Sequence, residues 1–367
     1  MKKLRSYIFI FIVLLLIIPV LAIGCAKTEK PTTPTTPTTP STPSEPEKPA
    51  AKPVELSLAS MMSPEAPPAK SIERFIEKVN TDSNGLLTIR HYPANTLIPG
   101  PNMRSGVRDG VADMGHAFIF GGEPGFEVGV NLTQLVRGLD VPSSIKIFND
   151  IWNEYPDIMA SQWKDFKVLY MAPTHPTIFF ICNKPVRTMA DLNGLEIRVP
   201  SAILADIIKS LGGTPVSMST ADFVNSLDKG MVDGGATTLG SMLDFQIGDK
   251  FKYATFYAMG SSINFYIMNM ESFNNLSPDM QKVIEEAGKW AGDDMTATWT
   301  ETETSTMEYS KEQGIEFIEL PADEYAKWDV AIKPVYDKMA EEMNAAGYPG
   351  TEIVNFSAER SKFYSNK

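Results

Sequence analysis

The sequence predicts an α/β fold with two similar lobes that face one cleft. Strand-like and helix-like segments alternate along the chain from Val54 onward, which favours α/β architecture with largely parallel sheets. Two stretches also resemble each other, VRDGVADMG at 107–115 and LDKGMVDGG at 227–235. Each is typical of a helix end, a glycine stop at Gly110 or Gly230 and a short strand. The strand that follows would deliver its carboxyl end to a crevice. The alternative is a chance repeat of common capping residues.

The first half of the ordered chain shows clear periodicities. Residues 54–59 alternate in hydropathy and predict a strand, and 67–80 place Ile72, Phe75, Ile76 and Val79 on one helical face before Gly85. Further strands are predicted at 87–92, 111–120, 167–172 and 177–183, with helices at 102–109 and 145–155.

The second half continues the alternation and ends in long helices. Strands are predicted at 195–199, 215–218, 262–269 and 315–320, and helices at 202–211 and 221–227, the latter capped by Ser219 or Thr220. Pro278 at a first turn begins a helix that runs as far as 313, long enough to span both lobes. A last helix at 322–346 contains Pro334, where a bend is expected.

The start of the chain predicts export. Lys2, Lys3 and Arg5 precede an apolar run at 7–20, which is typical of a signal peptide over residues 1–24; a retained membrane-spanning helix is the competing interpretation. The segment LAIGC resembles a bacterial lipoprotein processing box, although Ala22 stands where leucine is usual. We expect cleavage before Cys25 and lipidation of its thiol, which would anchor the protein to the membrane.

Residues 25–53 contain the lipidated cysteine and a Thr/Pro-rich tether. Proline at nearly every third position favours polyproline II and prevents a packed core. At roughly 3.1 Å per residue the tether reaches about 80 Å from the membrane at full extension.

Composition and missing motifs exclude several functions. The net charge of −12, which becomes −15 without the three basic residues of the signal peptide, argues against nucleic acid as a partner. With Cys25 lipidated, the remaining cysteine, Cys182, has no disulfide partner and is predicted to be a small buried apolar residue. The three histidines lack metal-ligand spacing, and no phosphate loop, dinucleotide fingerprint or Gly-x-Ser-x-Gly occurs. We therefore predict no metal, no cofactor and no enzyme.

Arg198 is the most informative single residue. It lies in GLEIRVP, a short apolar strand where burying a guanidinium is costly unless a planar anion pairs with its fork of donors. A structural ion pair with a carboxylate of the same domain is the alternative.

The stretches DLNGLEIRVP (191–200), LGGTPVSM (211–218) and LDKGMVDG (227–234) together resemble the solute-binding subunits of TRAP (tripartite ATP-independent periplasmic) transporters. The similarity covers nearly everything after Val54. It implies a two-lobed type II periplasmic-binding-protein (Venus-flytrap) fold with long C-terminal helices. The implied segments are lobe 1 at 54–174, lobe 2 at 175–261 and a bracing segment at 262–367. It also implies that Arg198 clamps a small organic acid, which passes to an ion-driven permease, and that the protein works outside the cytoplasm, on the outer face of the membrane or in the periplasm.

Two departures from that family indicate the type of ligand. Ile178 stands where some members carry a second arginine, and Gly235, Ala236 and Thr237 replace a more polar run. We therefore expect a monocarboxylate with an apolar or aromatic body. A carboxylate sensor subunit on the same fold is the alternative function. The predicted ligand-binding residues are Arg198, Thr237, His116, Phe180, Ser201, Asn264 and Phe120, with Tyr266 as a further wall; plain core packing is the competing interpretation of the aromatic residues and of His116.

Overall fold

A computed structural model of the protein describes residues 52–119, 125–181 and 184–365. The predictions for the signal peptide, Cys25, most of the tether, Phe120 and Cys182 lie outside these residues. Within the described ranges, no helix combines the length and apolar character needed to cross a membrane.

Most strands of the described chain lie in the predicted segments, whereas the strand at Tyr253–Phe256 was not predicted. The strands are β1 (Val54–Ser60), β2 (Leu87–Tyr92), β3 (Met114–Phe118), β4 (Phe166–Ile181), β5 (Glu196–Val199), β6 (Thr214–Ser217), β7 (Gly234–Thr238), β8 (Tyr253–Phe256), β9 (Ser261–Asn269) and β10 (Glu316–Glu319).

The helices are more numerous than the sequence periodicity indicated. They are α1 (Pro67–Asp82), α2 (Met103–Arg108), α3 (Glu127–Leu135), α4 (Val141–Glu154), α5 (Pro156–Gln162), α6 (Ala202–Ser210), α7 (Thr220–Asp228), α8 (Ser241–Asp244), α9 (Met270–Asn274), α10 (Pro278–Glu312), α11 (Ala322–Ala345) and α12 (Gly350–Ser365). The sequence analysis missed α3, α5, α8, α9 and α12, which are short or have weak apolar periodicity. Pro334 lies inside α11 without ending it.

The sheet is mixed, with the strand order β2-β1-β3-β9-β4-β7-β5-β6; β8 pairs with β4 and β10. In one half β1 pairs in parallel with β2 and β3, and in the other β5 pairs in parallel with β6 and β7. The prediction of largely parallel sheets is therefore correct within each half. It is wrong at the centre, where β4 and β9 run antiparallel to their neighbours.

One long strand joins the two halves. The sequence analysis predicted separate strands at 167–172 and 177–183, whereas β4 is continuous over 16 residues. Its first part pairs with β9 as far as Pro176, and from Thr177 it pairs with β7. A register irregularity lies between Pro173 and Pro176, where the strand passes from one half to the other. The two proline residues obscured the continuity because proline usually interrupts a strand.

Both glycines of the repeated motif end helices as expected. Gly110 follows α2 with φ +75° and Gly230 follows α7 with φ +63°, values in the left-handed region that glycine adopts without a Cβ penalty. The equivalent strands β3 and β7 come next in each half. The motif therefore marks the same supersecondary unit in both lobes.

The long helix α10 contacts both halves. At its middle, Asp294 accepts hydrogen bonds from Ser71 and Arg74 of α1. Near its end, Tyr309 packs so closely on Gly248 that a Cβ there would lie 2.8 Å from its ring. The predicted span of this helix across both lobes is what the structure shows.

Candidate ligand-binding site

Arg198 lies near the carboxyl end of β5 and is almost fully buried, with 3% of its surface exposed. Its Nε donates to the carbonyl oxygen of Met218 at 3.1 Å, and its guanidinium carbon lies 5.1 Å from the centre of the Phe223 ring. Burial lowers the pKa of Arg198 from 12.5 to about 10. Burying the guanidinium therefore costs desolvation free energy. An anionic ligand bound to it would offset that cost.

A cross-strand row fixes the direction of Arg198. Arg198 pairs with Gly235 of β7, and Gly235 pairs with Phe180 of β4, so the three residues share one face of the sheet. Phe223 of α7 covers this row, since a Cβ on Gly235 would lie 2.5 Å from its ring. Glycine is thus required at position 235 for the Phe223 ring to approach the sheet beside Arg198.

Thr237 lies on the same face, two residues further along β7 toward its carboxyl end. It is 6% exposed, and its hydroxyl donates to Ser241 Oγ at 2.9 Å. Thr238 Oγ1 lies 3.0 Å from the same Ser241 oxygen. The structure therefore brings Arg198 and Thr237 together at the carboxyl ends of neighbouring parallel strands, where α/β folds bind their ligands.

Phe180 shares the row with Arg198 but has no exposed surface. Its ring centre lies 5.6 Å from that of Phe251, within an apolar cluster that includes Ile178 and Phe223. The structure thus places Phe180 in the core that supports the Phe223 ring. Tyr266 is equally buried, 4.7 Å from Phe75 between ring centres.

Ser201 caps helix α6, with its Oγ accepting from the backbone N–H of Leu204 at 3.3 Å. This bond satisfies one of the free donors at the helix start and accounts for serine at this position. Ser201 lies directly after the carboxyl end of β5 and is half-buried, so it borders the same edge as Arg198.

His116 does not join Arg198. It is fully buried in β3, edge-on to Tyr266 with 5.8 Å between ring centres. Tyr266 in turn packs on Phe75 of α1. Burial, and secondarily the proximity of His91, lower the pKa of His116 to about 3. Its imidazole is therefore neutral at pH 7 and lies in the core beneath α1, so our ligand site does not include it.

Asn264 is also fully buried, and both ends of its amide are used. In the orientation that satisfies both atoms, Nδ2 donates to the carbonyl of Ala172 at 2.9 Å and Oδ1 accepts from Trp299 Nε1 at 2.7 Å. Asn264 therefore orients the indole of Trp299 instead of presenting its amide to a ligand.

Three residues near the junction of the lobes were not predicted. Trp299 of α10 lies 6.2 Å from Phe118 and 5.4 Å from His175 between ring centres. His175 occupies the irregular part of β4 between Pro173 and Pro176, and a Cβ on Gly240 would approach its Nδ1 to 2.6 Å. Such irregularities redirect side chains. The predicted lobe boundary at 174/175 was the available signal for His175, whereas a tryptophan inside a long helix gave none.

Other features of the described residues lie away from Arg198. A groove of about 440 Å³ runs between α1 and β2, and another of about 460 Å³ lies beside α11. Among the described residues no group of three or more His, Cys, Asp or Glu side chains could hold a metal ion.

Comparison with known proteins gives the family. The profile of the DctP family, described as bacterial extracellular solute-binding protein, family 7, matches residues 146–343, more than half of the chain. The chain belongs to this family. Family membership confirms the predicted TRAP-type solute-binding protein and its two-lobed periplasmic-binding fold, and it places the protein among extracytoplasmic receptors rather than enzymes.

Individual relatives agree with this assignment. The chain is 24% identical over 306 residues to the C4-dicarboxylate-binding periplasmic protein DctP of Rhodobacter capsulatus, covering 80% of this chain and 89% of the relative. Its fold matches a TRAP periplasmic solute-binding protein of Desulfovibrio salexigens with TM-score 0.74 and 28% identity, over 86% of this chain and 97% of the other. It also matches a marine metagenome TRAP solute-binding protein, specific for aromatic acid ligands, with TM-score 0.72 and 23% identity over 85% and 99% of the two chains.

Proposed function

We propose that this solute-binding protein captures a monocarboxylate with an apolar or aromatic body and delivers it to an ion-driven TRAP permease. The observation that carries the proposal is the buried guanidinium of Arg198 at the carboxyl end of β5. A bidentate carboxylate would recover the free energy spent on burying that charge.

The surroundings of Arg198 favour one carboxylate over two. Ile178 occupies the paired position opposite Thr237 and is fully buried among apolar side chains. An aliphatic residue there supplies no donor for a second anionic group. The strand beside Ile178 contributes the hydroxyl of Thr237, which donates to Ser241 Oγ. Such a site holds one anion firmly and leaves the body of the ligand to apolar walls.

The lobe boundaries belong to the same proposal. We place lobe 1 at 54–174 and lobe 2 at 175–261, with 262–367 bracing both. The pairing of β4 supports this division, because the strand leaves β9 after Pro176 and joins β7 at Thr177. We also propose that Cys25 carries the lipid that keeps the receptor at the membrane surface. The acidic chain and the Thr/Pro-rich tether fit a receptor held at a distance from the bilayer.

Calorimetric titration with a panel of acids tests the function. Benzoate, mandelate, 3-hydroxyphenylacetate, succinate and glucuronate cover aromatic acids, a dicarboxylate and a sugar acid. We expect the aromatic monocarboxylates to bind most tightly and to raise the melting temperature as mass action requires. Tighter binding of succinate than of every monocarboxylate would contradict the proposed ligand class, and binding of none would contradict the carboxylate site itself.

A further inference from the structure

Three aromatic side chains meet at the junction where β4 passes from β9 to β7. Phe118 ends β3 in lobe 1, Trp299 lies on α10, and His175 lies on β4 at the junction. We call Phe118, Trp299 and His175 the aromatic bridge. Its ring-to-ring distances are 6.2 Å for Phe118 to Trp299 and 5.4 Å for Trp299 to His175.

The aromatic bridge adjoins the polar edge that begins at Arg198. Along β7, Gly235 pairs with Arg198, and Thr237 and Thr238 follow at the carboxyl end. The next residues of the chain lead to Gly240, whose missing Cβ leaves room for the imidazole of His175. The path from the guanidinium to the aromatic rings therefore runs over a few residues along one edge of the sheet.

The bridge is positioned by hydrogen bonds as well as packing. Asn264 of β9 pairs with Phe118 of β3 and accepts from the indole N–H of Trp299 at 2.7 Å. Asn264 is itself held by its bond to the Ala172 carbonyl. The hydrogen bond from the indole to this buried amide fixes the plane of the Trp299 ring. An apolar residue at position 264 would remove that constraint.

The rings of the aromatic bridge carry no charge at neutral pH, and part of the bridge is accessible to solvent. Burial lowers the pKa of His175 to about 4, so its ring is neutral and packs edge-on against Trp299. Trp299 is 7% exposed, whereas Phe118 and Thr302 are half-buried, and Thr302 Oγ1 lies 3.4 Å from His175 Nε2. A ligand that enters between the lobes would therefore meet an aromatic surface with a hydroxyl rim.

We infer that the aromatic bridge is the specificity surface of this receptor: it holds the ring of an aromatic carboxylate whose acid group lies on Arg198, and Asn264 is the positioning residue that sets the Trp299 plane. The inference rests on the proposed function, because it assigns the ligand body that accompanies the carboxylate. Edge-to-face and offset packing of a ligand ring against these side chains gives a preference for aromatic over small aliphatic acids.

The test compares benzoate with acetate, which share the carboxylate and differ in the ring. Calorimetric titration, with competition for the weaker acid, gives the ratio of their affinities for each variant. We expect Trp299→Ala to lower benzoate affinity by roughly 10- to 100-fold, the loss typical of a buried aromatic anchor, with acetate affinity unchanged within about threefold. Asn264→Ala should reduce the ratio less, and Trp299→Phe should retain most of it.

Matched controls separate this inference from the proposed function. Trp290→Ala changes the same residue type on the same helix, away from the bridge, and should leave the ratio unaltered. Arg198→Met should weaken both acids together. A folded Trp299→Ala protein with the wild-type ratio overturns the specificity surface but leaves the carboxylate site standing. If Arg198→Met binds benzoate and acetate as tightly as wild type does, or if wild type binds neither acid, both the specificity surface and the carboxylate site are overturned.

Discussion

Replacing Arg198 by methionine is the most direct test of the carboxylate site. Methionine keeps an unbranched stem beside the Phe223 ring, 5.1 Å from the guanidinium carbon in the native protein, and removes the charge. It also removes the bond from Nε to the Met218 carbonyl at 3.1 Å. The substitution therefore changes the charge at the cleft while disturbing the apolar packing little.

The structure gives the expected magnitudes. The fall in the pKa of Arg198 from 12.5 to about 10 corresponds to at most about 3 kcal/mol of burial cost that the methionine variant avoids. The lost charged hydrogen bond costs about 1.5–3 kcal/mol. These two effects have opposite signs, so we expect the variant to remain folded, which its melting curve checks. Binding should fall much further, because losing one partner of a buried charge pair costs about 2–5 kcal/mol, or roughly 30-fold to several-thousand-fold in Kd.

The assay is calorimetric titration of wild type, Arg198→Met, Arg198→Ala and Arg198→Lys with benzoate, alongside a melting curve for each. Arg198→Lys should also lose much of the affinity because a point charge cannot reproduce the planar fork. Benzamide, which has the same shape without the charge, should bind wild type poorly. Wild-type affinity in a folded Arg198→Met or Arg198→Ala protein would refute the reasoning and make Arg198 a structural residue.

Four further outcomes are expected. Cys25→Ala should leave the precursor uncleaved or release the protein from membrane fractions; processing and fractionation like wild type would disprove the lipid anchor. Saturating ligand should reduce the radius of gyration in small-angle scattering, because receptors of this fold close about a hinge, and an unchanged radius counts against closure. Burial raises the pKa of Glu303 from 4.5 to about 7 although it accepts from the Val141 N–H, so the free energy of unfolding should fall by up to about 3 kcal/mol as pH rises through this range. Denaturant titrations of Glu303→Gln should lack this fall, and an identical pH profile would exclude Glu303 as its source. The pKa of His116 in the folded protein is about 3, below its usual 6.5, so the free energy of unfolding should decrease as pH falls, by about 2 kcal/mol at pH 5. His116→Phe should reduce this decrease, and an equal decrease in both proteins would assign the effect to other groups.

Much of the local structure followed from the sequence because it depends on neighbouring residues. The face of α1 was visible in the spacing of Ile72, Phe75 and Val79, all fully buried in the structure. Gly110 and Gly230 marked helix ends because glycine adopts the left-handed conformation without a steric penalty. Ser219 and Pro278 likewise placed the starts of α7 and α10. These signals act within one or two helical turns and need no tertiary information.

The candidate site was predicted only where its signal was local. Arg198 was identifiable because burying an arginine in an apolar strand is costly without an anionic partner. Thr237 was identifiable because it lies where the chain departs from the family's more polar run. Phe180 and His116 were chosen for residue type and position along a strand, and each proved to be fully buried in the core. Sequence periodicity indicates that a side chain is buried. Whether that side chain faces a cleft or a packed helix depends on which element of the fold lies against it.

The sequence by itself determined the α/β class, the paired units and the family, and it singled out Arg198 as the candidate residue for binding an acid. Only the tertiary structure decided that β4 is a single strand through both lobes, since proline residues at 173 and 176 hid its continuity. Only the tertiary structure brought Trp299 of α10 to His175 of β4 and Phe118 of β3. Each of these two residues is more than 100 positions from Trp299 in the sequence. Such contacts arise when whole elements pack together, and hydrophobic packing is non-directional, so nothing in the spacing of one segment specifies its partner.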